Sequence, residues 1–595
     1  MLNILKKMFL TQEIEDPKEK YSLKRIEEFV EENINNLVIS SLDELGKSYQ
    51  EIRNVRRRKE IFKNQLDLCG LGDISAKLFV KSWISDLITQ KYNVNEDNIN
   101  FAINFDFPST YDQFHILLYE YFKDYRYNAL KKFITINNLD RLKEVNEELM
   151  YAITKEDIQY IFEKEIKDTR KIKFSQKLDI LVQRIYEDIQ GLSVIDEIRD
   201  MNSDGISIGI SGIPIEFISK INDMNIKNNE HKKYPMSYDS VWLYFSGKEI
   251  SLNFMGFGNQ RQLERVCRKI YRFNNKRQFT QADGSIVSSM ADISRVTVFR
   301  PPHSESWAAF IRKFDIDGDL DELITNENSD IVKELTNYIM KAKDNMCFSG
   351  QQGAGKTTML VGSVKKLYAN STLRVWEDYF ETFFRIKTPF RNILTIRKTE
   401  DINGEQGLDS LKKSNGQITV ISESADDQSK AYVIKGALAA SEAVYWTDHS
   451  VSADELVETH RNACLNLGLF RDETLAEQQV LRVLQWNMHL ENNDVDGYRY
   501  IRRLTEFIRV DTNEYSTNDD EKSYYENTRL YYEKKTNSKK YKAINIIEFD
   551  EEKKKYIIKN LISEERQKYI LSRLRDEDKQ GFKNLLIRMK GELNV

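Results

Sequence analysis

The stretch Gly350-Gln351-Gln352-Gly353-Ala354-Gly355-Lys356-Thr357-Thr358 meets the pattern G-x-x-x-x-G-K-[ST] at every fixed position. Nothing else in the chain restricts the fold as tightly. Backbone N–H groups can wrap a polyphosphate only where no Cβ blocks their approach, and Gly350, Gly353 and Gly355 supply that freedom. The flanks agree with a strand, loop and helix. Residues 345–349, with Met346, Cys347 and Phe348, read as a buried strand, and residues 359–367 as the following helix. In such a loop Lys356 faces the phosphates, Thr357 offers its hydroxyl to Mg²⁺, and the helix N-terminus adds its positive dipole end. A flexible glycine turn is the alternative, and it explains neither the full match nor the flanks.

A chain of 595 residues exceeds what one core serves, so three or four domains are expected. A formal net charge of −5 disfavours a general nucleic-acid binder. The apolar runs fall short of the ~20 residues that span a bilayer, which points to a cytoplasmic protein. Cys69, Cys267, Cys347 and Cys464 are scattered without a C-x-x-C pair, so buried reduced thiols are expected.

Residues 1–170 read as a charged helical extension, with Ile26, Phe29, Val30, Ile34 and Leu37 at helical spacing. The run Arg53, Arg56, Arg57, Arg58, Lys59 reads as a solvated helix face, and His115 as a core residue. Residues 171–314 read as a small α+β domain. A helix bearing Leu178, Leu181, Val182, Ile185 and Ile189 stops at Gly191, and a hairpin turns at Ser246-Gly247. The segment 294–302 reads as an exposed edge strand running into Pro301-Pro302. Residues 315–321, rich in Asp and Gly, read as a linker.

Residues 322–510 then read as an α/β nucleotide domain. Its strands 373–376, 417–422 and 443–447 end at Glu377 and Asp378, at Glu423, and at Asp448-His449. Ligands of open α/β sheets bind at the carboxyl ends of the strands, where these residues and the loop would converge. Phosphoanhydride hydrolysis needs a group that orients water and another that holds Mg²⁺, and these carboxylates suit both tasks. No guanine-reading N-K-x-D follows. Residues 511–595 read as a charged C-terminal extension with a strand-like 543–549 and a helix from Glu564.

In this order the motifs resemble the type II/type IV secretion ATPase superfamily, most closely its Flp/Tad pilus-assembly and conjugation branch, over roughly residues 175–510. Gly191-Leu192-Ser193-Val194-Ile195, Asp292-Ile293-Ser294-Arg295-Val296-Thr297 with Pro301-Pro302, and Ile311-Arg312-Lys313-Phe314 are similar to segments of the family's N-terminal domain. Trp376-Glu377-Asp378 with Glu381 is similar to its acidic box, Glu423 to its Walker B glutamate, and Thr447-Asp448-His449 to its histidine box. The chain departs from the pattern at Ser422-Glu423-Ser424-Ala425, which lacks the family's glycine and arginine, at Val451 in place of asparagine, and at Ser289 in place of an arginine.

The resemblance implies a PAS-like domain joined to a RecA-like P-loop ATPase domain. It further implies a hexameric ring using ATP and Mg²⁺, and a cytoplasmic location at the inner face of a membrane, against inner-membrane platform proteins of a pilus, secretion or conjugation apparatus. No direct nucleic-acid contact is expected. The nucleotide contacts would be residues 350–358, with Thr357 on Mg²⁺; the catalytic set would be Glu423, Glu377, Asp378, Glu381 and His449, with Arg295 and Arg312 reaching phosphate. Two other readings share the loop: a nucleotide-gated structural subunit with little hydrolysis, suggested by the missing arginine, and a nucleic-acid translocase, which would carry a basic or aromatic channel.

Overall fold

In the computed structural model the apolar patterns fold into two units, residues 1–314 and 315–595. The structure describes residues 16–593 apart from 40–48, 146, 168, 229–233, 273–277, 315–317, 400, 401, 403, 440, 494–497, 511–520 and 537–539.

The first unit carries β1 (Leu142–Val145), β2 (Glu148–Ile153), β3 (Gly205–Ile208), β4 (Val241–Phe245), β5 (Lys248–Leu252), β6 (Ser285–Ser289), β7 (Arg295–Phe299) and β8 (Ala308–Arg312). They form one sheet in the order β1-β2-β5-β4-β3-β8-β7-β6. The hairpin β4–β5 turns at Ser246 and Gly247 with φ of 51° and 81°, the two left-handed residues whose twist matches that of paired strands. β7 is not the edge that its sequence suggests, because the serine-rich β6 pairs along its whole outer side.

No break falls at residue 170. The helices Leu23–Ile39 and Ile74–Gln90 bury Ile26, Val30, Val80 and Ile84 in the same core as Leu181 and Ile185 of the helix Phe174–Ile189. β2 also joins the sheet through Ala152↔Ser251. The apolar stripes of the N-terminal helices need a partner surface, and the α+β part provides it. Lys77 adds an ionic tie across this junction, binding Asp196 and, at 2.7 Å, Asp200. His115 is buried with Nδ1 2.6 Å from Glu197, and Arg53, Arg56, Arg57 and Arg58 stand exposed on the helix Tyr49–Gly70.

The second unit carries β9 (Met346–Gly350), β10 (Leu373–Glu377), β11 (Ile393–Arg397), β12 (Ile418–Ile421), β13 (Ala443–Asp448), β14 (Trp486–Asn492), β15 (Arg499–Arg509), β16 (Tyr541–Asp550) and β17 (Lys555–Ile558). Their order is β11-β10-β12-β13-β9-β14-β15-β16-β17, parallel from β11 to β14 and antiparallel beyond. β9, β10, β12 and β13 are buried at every position, as parallel strands covered on both faces must be. One strand, β13, separates the strand of the glycine loop from the strand before Glu423, which is the RecA-like order.

Residues 541–593 are part of this unit rather than an appendage. β16 pairs with β15 from Arg503↔Glu548 to Arg509↔Tyr541. The helix Asp576–Leu593 buries Phe582, Leu585 and Met589, with the Phe582 ring 5.4 Å from that of Tyr338. Of the expected linker, 315–317 lie outside the described residues. The part that follows is tied to the second unit, since Lys365 donates to the Gly318 carbonyl at 3.1 Å and Lys366 pairs with Asp319 at 3.3 Å. All four cysteines are buried free thiols. Among the described residues no helix is long and apolar enough to cross a membrane.

Candidate phosphate-binding site

β9 ends at Gly350, whose φ of 142° and surroundings admit only glycine: a Cβ there would lie 2.1 Å from the Leu490 carbonyl oxygen of β14. Gly355, at φ 89°, is the left-handed cap of the helix Lys356–Lys365, so the first N–H groups of that helix open onto the loop. The loop is therefore a backbone cradle at the carboxyl edge of the sheet, with Thr357 in the first helical turn. The Lys356 ammonium curls back over it, donating to the carbonyls of Gly350 at 2.8 Å and Gln351 at 3.0 Å.

The strand order then sets which acidic residues stand near the loop. Adjacent strands lie about 4.8 Å apart, so the end of β10 is about 14 Å from that of β9, the end of β12 about 10 Å, and the end of β13 a single spacing. Glu423 follows β12 and His449 follows β13. His449 spans the gap, with Nδ1 3.2 Å from Lys356 Nζ and Nε2 2.7 Å from Glu423 Oε1. An ammonium can only donate and a carboxylate can only accept. A neutral His449 protonated on Nε2 satisfies both neighbours at once.

Behind this chain lies Asp448, fully buried. It accepts from Ser424 Oγ at 2.6 Å, Ser450 N at 2.8 Å and Lys430 Nζ at 2.9 Å. Burial would raise its carboxyl, but the charges of His460 and Lys430 and the two serine hydroxyls bring it down from 3.8 to about 2. Because Ser424 adjoins Glu423 and Asp448 adjoins His449, this carboxylate locks the two strand ends together. Asp448→Ala leaves the half-buried Lys430 without its countercharge and, among the described residues, with only Thr459 as a side-chain hydrogen-bond partner, a change that costs at most about 3 kcal/mol, the lower end for an orphaned buried charge. The expected result is a urea midpoint lowered accordingly. In the parent protein the Asp448 contribution, present above pH 3.8, is lost as pH falls through about 2. An unchanged midpoint would show the clamp to be inert.

The acidic box divides. Glu377 turns inward at 1% exposure, and its Oε1 accepts the backbone N–H groups of Thr382 at 2.9 Å and Glu381 at 3.2 Å. Burial raises its carboxyl to about 7 against the pull of those amides. It shapes the turn that carries Asp378, which is exposed, and Glu381, which is half-buried. Arg295 and Arg312 lie in the first unit as directly opposed partners on β7 and β8.

β14 and β15 supply groups that the sequence reading misses. Asn487 and His489 alternate with Trp486, Met488 and Leu490, and a polar residue at every second position of a buried strand is the available signal. His489 Nδ1 lies 2.9 Å from Ser349 Oγ, beneath the start of the loop. Burial and the charges of Arg503, Lys356 and Arg502 depress its pKa to about 3. A Cβ on Gly355 would sit 3.6 Å from Cδ of Arg499, and Arg503 donates to the Val451 carbonyl at 2.8 Å, two residues beyond His449. The loop thus sits in a concentrated positive field, suited to a polyanion.

No protein-family model and no curated protein matches the chain. Solved structures similar to it include the VirB11 ATPase from the Brucella suis type IV secretion system, at 14% identity and TM-score 0.27 over 45% of this chain and 86% of that one. The Legionella pneumophila ATPase DotB gives 12% and 0.37 over 66% and 86%. The pilus retraction motor PilT with bound ADP gives 14% and 0.35 over 48% and 81%. At identities and TM-scores this low the likeness carries no argument about chemistry, which rests on the residues described above.

Proposed function

We propose that this protein is an ATPase of the type II/type IV secretion kind, a ring motor that couples ATP binding and hydrolysis to pilus assembly, secretion or conjugative transfer at the inner face of a membrane. One observation carries the reading: Lys356, His449 and Glu423 form a continuous polar chain from the glycine loop to the carboxylate two strands away. ATP fits the cradle, the cationic field and the helix N-terminus. Mg²⁺ would take Thr357 as a ligand and would neutralise charge between the terminal phosphates. When phosphate enters, Lys356 exchanges the Gly350 and Gln351 carbonyls for it, and the pull on His449 is relayed to Glu423, which orients or deprotonates water.

The first unit, in the role of a PAS-like N-terminal domain, offers Arg295 and Arg312. In a ring a neighbour's arginine stabilises transition-state charge. Inner-membrane platform proteins are the partners this reading supplies. The expected result is Mg²⁺-dependent phosphate release together with ATP-promoted hexamers in native mass spectrometry. Monomers at tens of micromolar with and without a non-hydrolysable analogue would count decisively against a ring.

A further inference from the structure

Between Thr382 and Thr399 the chain carries Arg385, Lys387, Arg391, Arg397 and Lys398 and no Asp or Glu, although its net charge is −5. This segment forms the short helix Phe384–Lys387, a loop through Pro389 and Phe390, and β11, the outer strand of the sheet. Phe390 at the loop apex is 101% exposed, Ile386 55% and Leu394 40%. Large apolar side chains exposed this close together along the chain mark a contact surface rather than ordinary scatter.

The tip is held out, not left loose. Phe384 is buried at its base, and Arg391 turns inward to donate to the carbonyls of Val364, Lys365 and Leu367 at the end of the helix that begins with Lys356. Arg385 and Lys398 remain exposed beside it, and Lys387 is half-buried. A protein partner would have to provide a matching pocket for so prominent a phenyl ring, whereas a bilayer receives a convex apolar tip anywhere on its surface. The positive collar requires that surface to be acidic.

We propose that this tip is where the protein rests on an anionic membrane, with Phe390 and Ile386 entering the headgroup boundary and Arg385, Lys387 and Lys398 meeting lipid phosphates. The inference deepens the membrane-side location proposed above and rests on it, but not on ATP hydrolysis. The helix bearing Arg53 and Arg56 to Arg58 is another basic segment, yet it also carries Glu60 and Asp67.

Flotation of the full chain with vesicles tests this, using phosphatidylcholine alone or an equal mixture with phosphatidylglycerol. Binding is expected only to the mixture and weakens with salt. Phe390→Ser with Ile386→Ser, and separately Arg385→Glu with Lys398→Glu, should each lower partitioning about tenfold or more, with ATP-analogue affinity and turnover unchanged. The proposal is overturned if the parent protein ignores acidic vesicles. It also falls if both double variants bind as the parent does, or if Arg56→Glu with Arg57→Glu removes binding instead. Loss of self-association in the Phe390 variant, with vesicle binding intact, would reassign the tip to a contact between copies. Vesicle binding by a protein that does not hydrolyse ATP would sink the motor and leave the tip standing.

Discussion

Lys356→Ala lowers ATP affinity by about two orders of magnitude or more while the protein stays folded. Each hydrogen bond to a charged group contributes about 1.5–3 kcal/mol, and a phosphate-facing ammonium makes more than one. The loss should exceed that arithmetic, because Lys356 also balances the backbone carbonyls gathered at the loop. The fold is expected to survive. The hydrogen bonds of Lys356 to the carbonyls of Gly350 and Gln351 and to His449 lie at the carboxyl edge of the sheet, while the helix it begins is held by Leu360, Val361 and Val364. Titration with a fluorescent ATP analogue measures the effect, and far-UV circular dichroism with thermal melting controls for the fold. Unchanged affinity in a folded variant would remove the loop from the site.

What could be foreseen follows from how local each signal is. The strands β9, β10, β12 and β13 were legible as apolar runs, because a strand covered on both faces must be apolar throughout. The β4–β5 hairpin was legible because its turn chemistry lies in two residues. Strand order is not local. The serine-rich β6 offers only Ile286 and Val287 as an apolar signal, so β7 reads as an edge, and the charged stretch before Tyr541 disguises β16 as part of a tail although it extends the sheet of the second unit. Pairing across long sequence separations is decided by the whole core, not by the segment.

The site divides in the same way. Glu423 and His449 could be named because each follows a recognisable strand, and the order β12-β13-β9 then brings them into one chain with Lys356. Glu377 looked equivalent by position, yet it lies one strand further from the loop and turns inward to hold the Glu381 and Thr382 amides. Arg499, Arg503 and His489 had no motif at all. Their place beside the loop comes from the register of β14 and β15, such as His489↔Arg503, which no periodicity records.

Glu423→Gln is the sharper test of mechanism, since it should keep ATP binding and cut turnover by about 10²-fold or more, the range for loss of a positioned general base. The amide preserves shape but cannot take a proton from water. It can still accept from His449 Nε2–H through its oxygen, so the chain back to Lys356 survives and affinity should hold. His449→Ala differs in kind. It leaves the carboxylate in place but breaks the relay, so turnover should fall and ATP affinity should also shift, because Lys356 loses one of the partners that hold it over the loop. Glu381→Gln, on the turn shaped by Glu377, should change turnover little. Single-turnover hydrolysis by the three variants separates these cases. Near-parental rates in Glu423→Gln would refute the assignment and move the search to Glu381. A parent protein that binds ATP tightly and releases no phosphate would turn the same chain from a catalytic relay into a sensor of bound nucleotide. In that case Glu423→Gln should leave ATP affinity nearly unchanged and alter only the ATP dependence of assembly.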